Sequence, residues 1–500
     1  MRNVERAWLA CRRRKRATVR ACLYELSLLD NLVSTRDALQ AQTWQPSPPV
    51  VFTVEKPKAR EVYAAQFEDR VVHHWLVPQL EAVIDRDFIP DAASNRVGRG
   101  THFAVNRLQT FMRRQQGQGW FLQLDIANFF NSIHHPTLLK LLAAKLQKAV
   151  RRRGMPLEQA RLCYRIAARI IRQPCAEQAI RLSSARTEFN PVPAHKRLEN
   201  TPAETGLPIG NLTSQFFANL YLDQLDQFVK HHLQCRHYVR YVDDFVLLHQ
   251  EREQLAQWRD ELSAFLATEL HLGLKERTEP APLGNGADFL GYIVRPGYRL
   301  VRRRVVGNLH ERLLALEREL VRRNRAGTSI DLPKGRRQRL RAVLASYWGH
   351  FRHADSYRLR QGIFRDFPWL HLFFRDPQDL RPRWQPTLVS SLASQWRYFE
   401  REFPACLLVV QCGRQLLLNA ELPGLTPYCG PARLRAWRVE IGNLAGLQAR
   451  LRRYRCSYLF CSEEGHLQGG LKRRVLRRIW LSAADGFSAL IPPNLKEKIV

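Results

Sequence analysis

The chain contains no run of eighteen apolar residues, so no transmembrane helix is expected. Its first residues, "MRNVERAWLACRRRKR", are charged and lack the apolar segment of a signal peptide, so a secretory leader is not expected either. The ten cysteines include no CxxC pair. Cys406 with Cys412, or Cys456 with Cys461, are close enough in sequence to be argued as metal ligands. Buried free thiols in a reducing cytoplasm are the expected state, and the expected location is cytoplasmic. Internal repeats and low-complexity tracts are also missing. Acidic residues are few beside basic ones, 46 against 79, for a formal net charge of +33. Such a surplus on a folded chain marks a partner rich in negative charge. Nucleic acid is the first candidate. A membrane surface is disfavoured because no basic amphipathic helix stands apart as an anchor.

What is present is a packed protein. Hydrophobic residues make up 45% of 500, and that length suggests roughly two to four domains. Residues 1–50 read as basic helices ending in the connector "TWQPSPPV". "DRVVHHWLVPQLEAVI" has helical apolar spacing up to its internal Pro78. "WFLQLDIANFF" alternates as a strand should, with Phe121 and Ile126 flanking the carboxylate of Asp125. A helix opens at "HHPTLLKLLAAKL", where Pro136 suits the first turn. "NLTSQFFANLYLDQLDQFVKHHL" is a second long helix, and "DFLGYIV" a further strand. In "NLHERLLALERELVRRNR" the leucines at 309, 313, 316 and 320 form one apolar stripe among arginines.

The stretch "HYVRYVDDFVLLHQ" carries the chemistry. Asp243 and Asp244 stand side by side between two apolar runs that read as the strands of a hairpin. Like charges a few ångströms apart repel, and one would ordinarily take up a proton. A divalent cation removes that conflict. Mg²⁺ prefers a few carboxylates completed by water and substrate phosphates, and two such ions about 4 Å apart form the clamp used for in-line phosphoryl chemistry. Asp125, at the end of another strand, is the third acid of the set.

With these motifs taken together, the sequence resembles the reverse transcriptases, in particular their bacterial members. The family's motifs occur in order. "KPKAREVYAAQFEDRVVHHWL" and "IPDAASNRVGRGTHFAV" resemble the two fingers motifs, and "FLQLDIANFFNSI" the palm strand with the first catalytic aspartate, Asp125. "GLPIGNLTSQFFANLYL" resembles the loop and helix around template and nucleotide. "YVDD" looks like the catalytic hairpin, "LGLKERT" the next palm motif and "DFLGYIV" the primer grip. The resemblance implies an α+β right-hand polymerase: fingers and palm with an antiparallel sheet over residues 51–298 and a helical thumb over 299–375. A helical extension over 1–50 and a small α/β appendage over 385–500 would flank it.

The implied activity is RNA-directed DNA synthesis with two Mg²⁺ ions. Asp125 and Asp243 would hold both ions, with Asp244 a weaker or structural ligand and Ile126 counted among the metal-holding residues. One ion would acidify the primer 3′-hydroxyl and the other stabilise the leaving pyrophosphate. Lys58 and Arg60 stand where the family places cations on the incoming phosphates. Phe130 stands where it carries a ring that excludes a 2′-hydroxyl, and Lys275 is the expected general acid for pyrophosphate. Gly210 would let the backbone approach the nucleotide, with Ser214 and Gln215 beginning the helix behind it. The implied partners are dNTPs, an RNA template, a DNA primer or cDNA product, and an associated non-coding RNA and accessory protein. Oligomers are compatible with it, and a membrane is not expected. The arginine-rich helices from 299 to 360 would grip a duplex by its phosphates.

One departure is informative. Many members have Gln before the glycine that matches Gly210, and this chain has Ile209. In that respect it resembles the enzymes of diversity-generating retroelements and unassigned, defence-associated bacterial reverse transcriptases. Loss of a polar side chain beside the nascent pair is expected to loosen base selection. The last segment faintly resembles the first domain of MutS-type mismatch-binding proteins, but Arg414, Gln415 and Leu416 follow Gly413 where that family carries a Phe and a Glu. No ribonuclease H-like acidic cluster and no HNH-like signature is present, so group II intron mobility is not expected from this polypeptide alone.

Overall fold

The computed structural model describes residues 2–13, 18–55, 58–116, 118–181, 191–275, 278–386, 389, 391–430, 434–467 and 470–490. Lys56 and Pro57 of the first fingers motif, and Glu276 and Arg277 of "LGLKERT", lie outside them. The chain divides into two compact units, Met1–Tyr298 and Arg299–Val500.

The first unit is built around a four-stranded antiparallel sheet. Its order is His237–Tyr241, Asp244–His249, Trp120–Asp125, Ala281–Pro282. The central strands are apolar on both faces: Phe245, Val246, Leu247, Leu122 and Leu124 are all buried. Helices explain this, because a sheet covered on its faces reads as a hydrophobic run rather than an alternation. Leu212–Gln227, the expected second long helix, is buried nearly all round. It shares one core with Phe67–Ile84, His135–Arg153, Leu157–Ile171 and Arg252–Leu270. Pro136 occupies the first turn of His135–Arg153.

Three expectations change in this unit. Phe67–Ile84 runs straight through Pro78, because Leu80 and Ile84 beyond it are fully buried and their burial offsets the lost hydrogen bond. Residues 1–50 are no separate extension: Trp8, Cys11, Tyr24, Leu32 and Leu39 belong to the same core as the palm helices. "DFLGYIV" is two strands, Ala287–Phe289 and Tyr292–Val294, paired antiparallel. Leu290 and Gly291 between them both have positive φ, +51° and +89°, the backbone a tight two-residue hairpin requires.

The second unit carries an eight-stranded sheet. Its order is Val321–Asn324, Gly327–Asp331, Lys472–Ser482, Tyr458–His466, Leu407–Cys412, Gln415–Leu418, Trp437–Glu440, Thr426–Pro427. Neighbours are antiparallel except Leu407–Cys412 with Tyr458–His466. The helix Arg303–Leu320 buries Leu309, Leu313, Leu316 and Leu320, the stripe expected from spacing. The expected division between a thumb ending at 375 and an appendage starting at 385 does not appear as a break. "VRRN" is a strand, and its hairpin partner Gly327–Asp331 pairs with Lys472–Ser482. Leu309, Trp348, Phe364, Leu408, Leu459 and Ile479 lie in one core. Helix Leu392–Glu402 opens with a reciprocal Ser391–Ser394 capping box.

Among the described residues no disulfide joins any of the ten cysteines. Cys406 and Cys461 are core side chains, and burial pushes the Cys406 thiol up to about 12. Among the described residues no helix is long and apolar enough to cross a membrane.

Candidate active site

Three separate stretches of chain meet at the end of the four-stranded sheet. Asp125 ends its strand directly opposite Asp244, the first residue of the neighbouring strand. The N–H of Ile126 donates to the Asp243 carbonyl at 3.3 Å. On the other side Ile126 bridges Leu274, and the Lys275 N–H donates to the Asp125 carbonyl at 2.8 Å. Backbone hydrogen bonding alone therefore fixes residues 125–126, 243–244 and 274–275 beside one another.

The hairpin turn is strained and held. Val242, a β-branched residue, has φ +58°, a conformation that costs about 1–3 kcal/mol unless its surroundings impose it. They do. Its N–H donates to Ser94 Oγ at 3.1 Å, and Arg240 Nη1 donates to its carbonyl at 3.0 Å. Ser94 Oγ donates in turn to Asn219 Oδ1 at 3.0 Å. Arg240 is fixed by a bidentate pair with Asp226, at 2.7 and 2.5 Å, which Tyr238 completes with a hydrogen bond at 2.8 Å. Ser94, Asn219, Asp226 and Arg240 are all buried. This polar network locks the turn between a strand and the helix Leu212–Gln227.

The carboxylates differ in their surroundings. Asp125 is 44% exposed, and Lys275 Nζ lies 3.5 Å from its Oδ2. Asp243 is held above the usual carboxylate range, first by burial and then by Asp125. Its own backbone N–H, Arg60 and Lys58 pull the other way. Asp244 is pushed up to about 7, chiefly by burial, with Asp125, Asp243 and Asp288 adding repulsion. Gln123 Nε2 opposes that shift by donating to Asp244 Oδ1 at 3.0 Å, and it also donates to the Asp288 carbonyl at 3.0 Å. So Asp125 is the exposed carboxylate, Asp243 is half-buried beside it, and Asp244 is bound into the sheet.

Residues 54–293 match the family model described as "Reverse transcriptase (RNA-dependent DNA polymerase)". This is a reverse transcriptase domain. Among curated proteins the chain is similar to Protein YkfC of Escherichia coli strain K12, 23% identical over 329 residues, covering 58% of this chain and 78% of that protein. Among solved structures it is similar to the apo telomerase of Candida tropicalis truncated from its C-terminal domain. That match has 10% identity and a TM-score of 0.37 and covers 55% of this chain and 60% of that one. It is also similar to the Candida albicans telomerase in complex with a fragment of telomeric RNA, with 11% identity and a TM-score of 0.34, covering 69% and 64%. The chain thus spans less than two thirds of either telomerase chain.

Within the reverse transcriptase domain the remaining candidates fall into two groups. Lys58 and Arg60 are exposed at the start of the strand Arg60–Ala64, close enough to Asp243 to lower its affinity for a proton. Ile209 and Gly210 lie in the loop at 206–211, Phe130 is bonded to that loop, and Gln215 sits in the helix that follows it. The Tyr63 N–H donates to the Ile209 carbonyl at 2.9 Å, and the Leu207 N–H to the Phe130 carbonyl at 2.7 Å. Of the two adjacent rings, Phe129 takes the core position and Phe130 is left half-buried beside it, 5.4 Å away. Gln215 is exposed and Ser214 buried in the first turn of the helix Leu212–Gln227. Among the described residues no hydrogen bond or ion pair links the side chains of Phe130, Ile209 or Gln215 to the carboxylates. Gly210 has φ +117°, and a Cβ there would lie 2.6 Å from Val62 Cγ1. The close approach seen is therefore to the fingers strand.

Several residues that position the site escaped the sequence reading. Asn211 is buried and bonds both ways to the fingers strand: its Oδ1 accepts from the Ala65 N–H and its Nδ2 donates to the Tyr63 carbonyl, each at 3.1 Å. Ser94, Asn219, Asp226 and Arg240 are the others. Their signal was polarity inside otherwise apolar runs, as in "FFANLYLDQLDQ".

The donor chemistry fits a hard divalent cation. Burial and the neighbouring Asp125 raise the proton affinity of Asp243, and added positive charge beside the two carboxylates would relieve that conflict. Among the described residues no group of three or more His, Cys, Asp or Glu side chains forms a metal cage. A cation that keeps water and substrate phosphates in its shell does not need one.

Proposed function

We propose that the chain is an RNA-directed DNA polymerase that makes cDNA by two-metal nucleotidyl transfer, within a bacterial retroelement of the diversity-generating kind or an antiviral defence system. The observation that carries the reading is the backbone-fixed meeting of Asp125 and Asp243, with Lys58 and Arg60 facing Asp243. Asp125 and Asp243 would hold Mg²⁺, with Ile126 between them in the chain's path. Bound there, the ions would supply charge neutralisation at the attacking and leaving oxygens. The chain's own part is positional. The locked Val242 turn keeps the Asp243 carboxylate at the sheet rim, and the fingers cations bind and orient the triphosphate. The Phe130 ring excludes a ribose 2′-hydroxyl, and the Lys275 ammonium stands beside Asp125 to hand a proton to the leaving group. The Ile209 departure favours the mutagenic or defence setting over a faithful copying enzyme.

The test is primer extension on a defined RNA template with Mg²⁺ and dNTPs, followed by product sequencing. Templated cDNA that disappears in Asp243→Ala is the expected result. Products unrelated to the template would replace this reading with untemplated or protein-primed synthesis. Full retention of RNA binding with no synthesis under any condition would leave a non-catalytic RNA-binding scaffold.

A further inference from the structure

The second unit holds a cleft of ≈ 440 Å³ whose lining includes Lys334, Gln338, Arg341, Gln385 and Arg473 together with the Arg337–Glu464 pair. It is built from one helix, the end of one hairpin and the segment that carries Trp384 and Gln385. Lys334, Gln338 and Arg341 recur every three to four residues along one face of the helix Lys334–Phe351 and are exposed. Arg473 comes from the strand Lys472–Ser482, which pairs with Tyr458–His466.

The charges in this cleft are unequally matched. Arg337 is buried and already satisfied, by Glu464 through one nitrogen and by the Leu332 and Leu476 carbonyls through another. That pair cancels. Among the described residues Lys334, Arg341 and Arg473 make no ion pair with any acidic side chain. Arg473 spends one nitrogen on the His466 carbonyl at 3.4 Å, and its Nε is buried with no hydrogen-bond partner. The Arg473 Nε is out of reach of the cleft, so what the guanidinium offers a ligand there is its charge and its terminal nitrogens. The first turn of the helix, where Lys334 sits, adds unpaired N–H groups of the same sign.

We propose that this cleft binds the phosphorylated 5′-terminal nucleotide of an RNA strand. An internal phosphodiester carries a single charge, whereas a terminal monoester carries about −1.5 to −2 at neutral pH. Three uncompensated cations converging in one cleft suit the second. Arginine forks match its several oxygens, and the cleft's size falls within the range for small ligands of about 300–1,000 Å³. The Gln338 and Gln385 amides offer donors and acceptors for the sugar and base. The RNA as bearer of the phosphate rests on the polymerase reading above; recognition of the terminal phosphate does not.

The test measures binding to the full chain without dNTPs, so its outcome is independent of catalysis. A short RNA labelled at its 3′ end is prepared with a 5′-phosphate or a 5′-hydroxyl, and anisotropy is read at salt high enough to suppress non-specific contacts. The expected preference for the 5′-phosphate is about tenfold, the effect of one to two charge-assisted hydrogen bonds. Lys334→Gln with Arg341→Gln, both exposed, should abolish that preference, and Arg318→Gln with Arg322→Gln, which removes equal charge elsewhere, should keep it. No preference in the wild type, or equal loss in both double variants, would overturn the proposal. Free nucleoside 5′-monophosphate competing as strongly as the phosphorylated RNA would overturn the RNA assignment in favour of a mononucleotide site.

Discussion

Ser94 Oγ accepts the main-chain N–H of Val242 at 3.1 Å, and so pins a β-branched residue in left-handed backbone one position before Asp243. The turn that presents the carboxylate is thus imposed from outside. Replacing Val242 by Gly removes strain of about 1–3 kcal/mol, offset by glycine's entropy and by the lost packing of the half-buried Val242 side chain, so little net change in unfolding free energy is expected. Nucleotide incorporation should fall in the same variant, because the turn is no longer held rigid. Ser94→Ala should act differently. It leaves a half-buried N–H without its acceptor, lowering stability by about 1–3 kcal/mol. Denaturant titration beside primer extension separates the two.

Asp243 and Asp244 are neighbours in sequence with unequal roles. Asp243→Asn is expected to lower single-turnover incorporation by about 10³-fold, as removal of a group stabilising transition-state charge does. Asp244→Asn keeps a side chain that Gln123 can still reach, so its loss should be nearer tenfold, on the order of one weak interaction. Equal losses in the two variants would make Asp244 a full partner in ion binding.

Ile209 borders the loop whose carbonyl receives the Tyr63 N–H. If the proposed site is right, Ile209→Gln puts a polar side chain beside the nascent base pair, and misincorporation is expected to fall, most visibly opposite template adenine. Sequencing of cDNA from a defined RNA gives the readout. Unchanged error spectra would remove Ile209 from the account of base selection.

Asp69, in the first turn of the helix Phe67–Ile84, is pushed up to about 7 by burial, although the Ser47 N–H donates to it at 2.9 Å. An unfolded aspartate titrates near pH 3.9. Between those values the folded chain holds the proton more tightly than the unfolded one. Asp69 therefore makes stability fall as pH rises from about 4 to about 7, with no further change above that. His73, one turn on and fully buried, is pushed down to about 3. It makes stability rise with pH from about 3 to 6.5. Asp69→Asn should expose the His73 slope, giving a melting temperature that climbs more steeply between pH 4.5 and 6.5 than in the wild type. Parallel curves for the two proteins would contradict the assignment.

The meeting of the three stretches around Asp125 was legible in the sequence because their residues sit on elements with strong local signals. Asp125 ends an apolar strand, Asp243 and Asp244 sit at a hairpin, and Lys275 follows a short bridge. The leucine stripe at 309–320 was legible for the same reason, since helical periodicity is local. What escaped depended on contacts distant in the chain. Ser94 meets Val242 across 148 positions and Asn211 meets Ala65 across 146, and no spacing rule connects such pairs. Phe129 and Phe130 are alike in composition and part only when one ring enters the core. Pro78 reads as a breaker until the burial around Leu80 and Ile84 is known. The boundary near residue 380 looked real because composition changes there, while the sheet continues across it.

That continuity limits how the chain can be shortened. The hairpin at 321–331 is stitched to the strand at 472–482 along five residue pairs, Gly327↔Ser482 through Asp331↔Arg478. A polypeptide cut before residue 472 would leave an open edge ready to zip onto other chains, and would strip the cover from leucines of the helix that precedes it. The helices from 303 onward and the last strands therefore stand or fall together, one folded piece rather than a body with a detachable end.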